Sequence, residues 1–372
     1  MSLFFARTPA PLKPARELPV CSCGALLFRE NTGCVTCGSA VGHVPDVSIL
    51  TSFSILPDGR WKSDHPELRG RHFKPCSGRA LVHQCNWMLD AKDNASQCLS
   101  CSLTRTIPDL TVPGAPDHWA AVEHTKRQVV IQLLRLDIPV KSKLTYPDGV
   151  CFDLLEPQAA GTLVMTGHED GVITLNLSEA NPAHRTATRE LMGERYRTLA
   201  GHLRHELAHY YWDMLAVSPA WLEQWREVFG DERQDYGVAL QRHHQNGPPG
   251  DWSLKYISPY ASSHPWEDWA ECFAHYLHME EGLETSAQLG IDLRKLHLRA
   301  VPFDRSVLGG DISRRSAEKF LERIDRWVLL GLATNELNAA LGHEPAYPFV
   351  LNIAVVRKLH FIQESLTALS EG

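Results

Sequence analysis

The sequence predicts an α+β protein in two parts. A cysteine-rich N-terminal region of short strands and loops precedes a longer, mainly helical region that carries a small β hairpin or sheet. Three observations predict this. Eight of the ten cysteines fall before residue 102, at Cys21, Cys23, Cys34, Cys37, Cys76, Cys85, Cys98 and Cys101. Strand-like alternation in the second part is confined to short runs within residues 150–177. From residue 181 onward, apolar residues recur at helical spacing between Pro and Gly breaks.

At 372 residues the chain is long enough for two or more domains. Its 44% apolar and 22% charged residues are those of a soluble globular protein. Lys plus Arg total 37 against 44 Asp plus Glu, a formal net charge of -7, which gives no sign of a general nucleic-acid binder. No apolar run reaches about 18 residues, so no membrane span is expected. Residues 1–20 mix prolines and charges and lack the layout of a secretory signal. The expected location is cytoplasmic.

Residues 1–18 read as a mobile arm. Cys21-Ser22-Cys23-Gly24 and Cys34-Val35-Thr36-Cys37-Gly38 are two knuckle-like turns joined by a short ribbon containing Leu26, Leu27 and Phe28. Four thiolates so spaced suit a closed structural Zn²⁺ site. In a reducing compartment, metal explains close-set pairs better than disulfides do. Cys76, Cys85, Cys98 and Cys101 make a second set of four, with His72 and His83 as competing ligands. Residues 19–107 are thus expected to hold two structural zinc ions, which supply stability that so small a core lacks. Arg60, Lys62, Arg69, Arg71, Lys74 and Arg79 make this region locally basic.

Residues 108–117 read as a linker. A helix follows from Trp119, capped by Asp117 and ended by Pro139, with Lys126, Arg127 and Arg135 on its solvated side. Strands are expected at 150–155, 162–166 and 172–177, with 167–171 as the turn between the last two. Residues 185–217 form one helix, or two broken near Gly193 or Gly201. Further helices are expected at 220–229, from the cap Asp231 through His244, at 265–282, 320–332 and 353–369.

The chemistry concentrates in two stretches. Within residues 199–215 stands His205-Glu206-Leu207-Ala208-His209. On a helix the two histidines lie one turn apart on one face, where their imidazoles can take two tetrahedral positions of Zn²⁺. Glu206 lies beside them, placed to deprotonate water. Within residues 259–281, Glu267 and Glu271 are four apart on a tryptophan-rich helix. Two carboxylates there need a positive partner, and a zinc ion is one. Tyr256, Tyr260 and His264, just before this helix, are candidate donors to an oxyanion.

These residues carry a resemblance. H-E-L-A-H followed by W-E-D-W-A-E-C-F-A resembles the gluzincin class of zinc metallopeptidases. More closely, the cysteine sets with C-N-W at 85–87, T-G-H-E-D-G-V-I-T-L-N-L at 166–177, F-G-D-E-R-Q-D-Y at 229–236 and H-P-W-E-D-W-A-E at 264–271 resemble a bacterial family of zinc-binding metallopeptidases with an N-terminal zinc-ribbon domain. The resemblance implies a rubredoxin-like zinc ribbon, then a zincin-like domain over 118–372 with a helical C-terminal extension. It implies one catalytic zinc on His205, His209 and Glu267, with Glu206 as general base. It also implies that Glu271 steadies a ligand histidine, although the reverse assignment of Glu267 and Glu271 stays open. A peptide or protein is the implied substrate. Trp212 and Leu215 stand where the metzincin class would have Gly and a third His. Two rival readings remain. One is a binding or scaffold protein that uses its zinc ribbon on a protein or nucleic acid, with a latent or structural H-E-x-x-H site. The other is metal-dependent hydrolysis of a non-protein amide.

Overall fold

The computed structural model describes residues 18–157, 164–192, 196–298, 301, 303–309 and 312–371. The expected arm apart from Leu18, Gly193, and the first two residues of the expected strand 162–166 lie outside the described residues. The chain divides into two compact units. One comprises residues 18–191 and 198–206; the other comprises 192–197 and 207–372.

The first unit opens on the two cysteine knuckles. Each is a tight backbone turn, closed by Gly24 N–H to Cys21 O at 2.8 Å and Gly38 N–H to Cys34 O at 2.9 Å. Five strands follow as an antiparallel sheet in chain order: β1 (Ala40–Val44), β2 (Ile49–Ile55), β3 (Trp61–Lys62), β4 (Phe73–Pro75) and β5 (Met88–Asp90). Val44, Phe53, Trp61, Phe73 and Met88, one from each strand, meet over Leu68 in one small core. A second, smaller core joins Cys21 and Cys34 to Leu27, Val41 and Leu50. Neither cluster is large, and in the second the cysteines Cys21 and Cys34 form part of the packing.

After α1 (Leu99–Ser102) and β6 (Thr104–Thr106) comes α2 (Ala115–Arg135). It starts earlier than Asp117 predicts: Gly114 is the cap and Asp117 sits in the first turn, where its charge suits the helix dipole. The largest correction concerns Lys126 and Arg127. They are not on a solvated side; each is only 1% exposed. Lys126 Nζ pairs with Glu123 Oε1 at 2.8 Å. Arg127 reaches Glu30 Oε2 at 2.7 Å and the carbonyl oxygen of His83 at 3.2 Å. Basic residues on an amphipathic helix read as surface until buried partners appear elsewhere in the chain.

A four-stranded sheet adds β7 (Cys151–Leu155), β8 (Gly167–Glu169) and β9 (Val172–Asn176) in the order β6-β7-β9-β8. β7 runs parallel to both β6 and β9, and only β8–β9 is a hairpin. Its turn is Asp170-Gly171, both with positive φ (45° and 70°), as a two-residue primed turn requires. The strand therefore occupies 167–169, which the sequence assigned to the turn; the described part of 162–166 is not a strand. Helix α3 (Pro182–Met192) follows.

Helix α4 (Leu199–Ala216) is separate from α3, and Gly201 lies inside it. Thr198 starts it, its hydroxyl accepting from Gly201 N–H at 3.0 Å. The second unit continues with α5 (Pro219–Phe229), α6 (Tyr236–Asn246), α7 (Pro265–Gln288), α8 (Arg314–Ala340) and α9 (Ile353–Glu371). Asp235, not Asp231, caps α6; Asp231 spends its carboxylate on Arg233. α7 runs past Gly282 because that glycine is a contact point and not a stop. A Cβ there would lie 2.7 Å from the Trp327 ring. Trp221, Trp225, Phe229, Trp269, Phe273 and Phe361 form an aromatic core by edge and stacked contacts. Beside it Lys358 Nζ meets the fully buried Asp268 Oδ2 at 2.5 Å. Burial still drives the Asp268 carboxyl up to about 7 against the pull of Lys358. No described helix is long and apolar enough to cross a membrane.

Candidate metal centre

Helix α4 is fixed by its apolar face. Leu203, Leu207, Ala208 and Tyr211 are buried. Trp269 Nε1 donates to Ala208 O at 2.8 Å, and Tyr211 stacks on Phe273 at 5.7 Å. Nearer the start of the helix, Arg204 Nε donates to Gln132 Oε1 of α2 at 3.0 Å. These contacts set the rotation of α4 and so the direction of His205 and His209. His205 is 7% exposed and Glu206 5%.

The partner carboxylate comes from the first turn of α7. His264 caps this helix: its Nδ1 accepts from Trp266 N–H at 3.1 Å, and its Nε2–H points to Gln234 O at 3.2 Å. Both ring nitrogens are therefore used, and burial holds the imidazole below its ordinary pKa. His264 starts a helix and has no N–H left for an oxyanion, contrary to the expectation above. Pro265 follows at the first helical position. Glu267, 1% exposed, then places Oε1 3.7 Å from His209 Nε2. One ligand atom each from His205, His209 and Glu267 lies within 4.8 Å of the others. A tetrahedral zinc with bonds of about 2.0–2.1 Å would set such atoms about 3.4 Å apart, so the donors fit after small adjustment.

Glu271, one turn on, is outside this group and takes the Ser258 hydroxyl on Oε2 at 2.6 Å. Tyr260 lies in a short turn with its ring facing His243 at 6.0 Å, and Tyr256 lies under Lys358 Nζ at 4.4 Å. The residue that sequence reasoning missed is Tyr236. It is 37% exposed, and its hydroxyl donates to Glu267 Oε1 at 2.7 Å. No local sequence signal marks it, because its partner Glu267 lies on another helix.

Both cysteine sets converge. Cys21–Cys37 and Cys23–Cys34 sulfurs are 3.6 and 3.7 Å apart, and Cys85–Cys98 are 3.7 Å apart. Zn–S bonds of about 2.3 Å in a tetrahedron give edges of about 3.8 Å, so the sulfurs stand at zinc spacing. Cys98 N–H donates to Cys76 Sγ at 3.2 Å, the kind of contact that steadies a thiolate. Gly78 leaves the room: a Cβ there would lie 3.0 Å from Cys101 Sγ. The four sulfurs of this second set are all buried. Burial opposes the Arg127 charge, but Glu30 and the thiolates of Cys85 and Cys101 outweigh it and hold the guanidinium above its ordinary pKa. His83, Cys101 and Glu123 also lie close together, but Glu123 is paired with Lys126, and His83 Nδ1 faces Arg127 at 3.3 Å. His72 belongs to no such group among the described residues.

Residues 115–365 match a family described as "Putative zinc-binding metallo-peptidase". The chain belongs to this family. In this metallopeptidase-family chain, residues 19–112 match a zinc-ribbon domain. Uncharacterized proteins of Mycobacterium bovis and of two strains of Mycobacterium tuberculosis are 37% identical to it over 349 residues, covering 93% of this chain and 94% of theirs. No solved structure matches. The expected fold class holds: α+β, with a β-rich zinc-ribbon module ahead of a mainly helical zincin-like domain. The family and the clustered donors make this a zinc-binding protein of metallopeptidase type.

Proposed function

We propose that the protein hydrolyses peptide bonds, with His205, His209 and Glu267 as the ligands of a catalytic zinc and Glu206 as the general base. The observation that carries this reading is the company of Glu206. It is a buried carboxylate next to His205, on the same helix as two of the three clustered donors. A purely structural site has no use for it.

A zinc ion at this site supplies a Lewis acid that makes water acidic near neutral pH and polarises a carbonyl. Glu206 takes the proton of the attacking water and returns it to the leaving amine. Tyr236 donates its hydroxyl to Glu267 Oε1 and so steadies the carboxylate that holds the metal. Glu267 is the direct ligand in this reading, and Glu271, anchored by Ser258, is the group that orients a ligand imidazole. The two cysteine sets hold structural zinc. The domains are a zinc ribbon over 19–107 and the catalytic region over 118–372, acting in the cytoplasm on a peptide or protein.

The test is mass-spectrometric mapping of new peptide termini in a mixed, partly unfolded protein pool, comparing zinc-loaded protein with Glu206→Gln. New termini with the unchanged protein alone are expected. Identical silence from both, with zinc bound in both, would overturn the reading.

A further inference from the structure

The two cysteine sets have the same donors at the same spacing but very different access to solvent. Of all ten cysteines only Cys23 and Cys37 are exposed. Both belong to the first set, and each stands beside a buried partner: Cys37 Sγ is 3.6 Å from Cys21 Sγ, and Cys23 Sγ is 3.7 Å from Cys34 Sγ. Cys76, Cys85, Cys98 and Cys101 are all buried, and so are the isolated Cys151 and Cys272.

We propose that the first zinc-ribbon site is an oxidative modification site, which reacts with peroxide through Cys23 and Cys37 and releases its zinc while the second site stays intact. This inference does not depend on the peptidase reading. Thiolate oxidation needs an approach path to sulfur, and only these two sulfurs offer one. The thiolate of Cys23 or Cys37 attacks one peroxide oxygen. The O–O bond breaks, hydroxide leaves, and a sulfenic acid forms. The neighbouring buried thiolate, Cys34 or Cys21, then attacks the sulfenic sulfur and displaces the second hydroxide. Two protons from solvent complete two waters. Each disulfide therefore oxidises two thiolates and reduces one peroxide. Two disulfides remove the four charges that hold the ion. The sulfurs need to close by less than about 2 Å to reach disulfide bonding distance.

The consequence is local. Cys21 and Cys34 also form the core of this knuckle with Leu27, Val41 and Leu50. That core is too small to hold without its metal. The second set has no exposed sulfur through which to start.

The experiment uses the full-length zinc-loaded protein, treated with hydrogen peroxide in the presence of a chromogenic zinc indicator. Disulfides are mapped by mass spectrometry at intervals. The expected result is an early release of one zinc equivalent, at least roughly ten-fold faster than any later release. It should coincide with Cys21–Cys37 and Cys23–Cys34 disulfides, while Cys76, Cys85, Cys98 and Cys101 remain reduced. Dithiothreitol plus zinc should restore the starting state. The proposal is overturned if both cysteine sets oxidise at one rate, if the early zinc leaves without disulfides in the first set, or if no early release occurs.

Discussion

The second cysteine set and the His205–His209–Glu267 centre are both largely buried, yet their donor sets suit opposite ends. The first supplies four sulfurs, so a tetrahedral ion is fully enclosed by protein. Its charged neighbour is Arg127, a cation that balances thiolates. The other supplies three donors, and a tetrahedral ion there keeps one position open. Its neighbours are Glu206, a carboxylate able to take a proton, and the half-exposed phenol of Tyr236. Donor count and the sign of the nearest charge separate a metal that holds a fold from one that can do chemistry.

That contrast can be broken at either end. The largest effect is expected from Cys98→Ser, which removes one donor from the enclosed set. One zinc equivalent should be lost, with a destabilisation on the order of 5 kcal/mol or more in thermal melting. An unchanged melt would mean that the set is not structural. Glu206→Gln comes next: kcat for peptide cleavage should fall about a thousand-fold, while zinc content by elemental analysis stays the same. Loss of the metal together with activity would instead make Glu206 part of the binding site.

Tyr236→Phe sharpens the difference further. As the hydrogen-bond partner of Glu267 it should cost about ten-fold or more in zinc affinity and in kcat, with KM little changed. A rise in KM alone would make it a substrate-binding residue. The smallest expected effect is that of Arg127→Met, which leaves Glu30 and the thiolates without their counter-charge. About 2–3 kcal/mol should be lost in denaturant unfolding, with catalysis at the other centre unchanged once folded.

Much of this was legible in the sequence because it is local. Cysteine knuckles, the one-turn separation of His205 and His209, and the four-residue separation of Glu267 and Glu271 depend only on spacing along the chain. What was hidden depends on groups far apart in sequence. Lys126 and Arg127 read as solvated because Thr104, Glu30 and His83 could not be seen beside them. His264 read as a free donor because Gln234 O was out of view. Tyr236 gave no sign of its place because the carboxylate its hydroxyl meets lies on another helix. The shift of the β8 strand into the expected turn has a local cause that was available: Asp170-Gly171 alone can close a primed hairpin, which frees 167–169 to pair.

The grip of Arg127 bears on how this molecule can be cut or recombined. The two family matches meet between residues 112 and 115, which invites treating them as interchangeable parts. Yet the compact unit runs through that junction, and the guanidinium of α2 has its partners, Glu30 and His83, on the other side of it. A chain beginning at Ala115 would strand a buried cation and lay bare the face of Trp119 that now meets His83. Grafting a foreign ribbon would need a matching acid and a matching carbonyl. The two halves have to be inherited together.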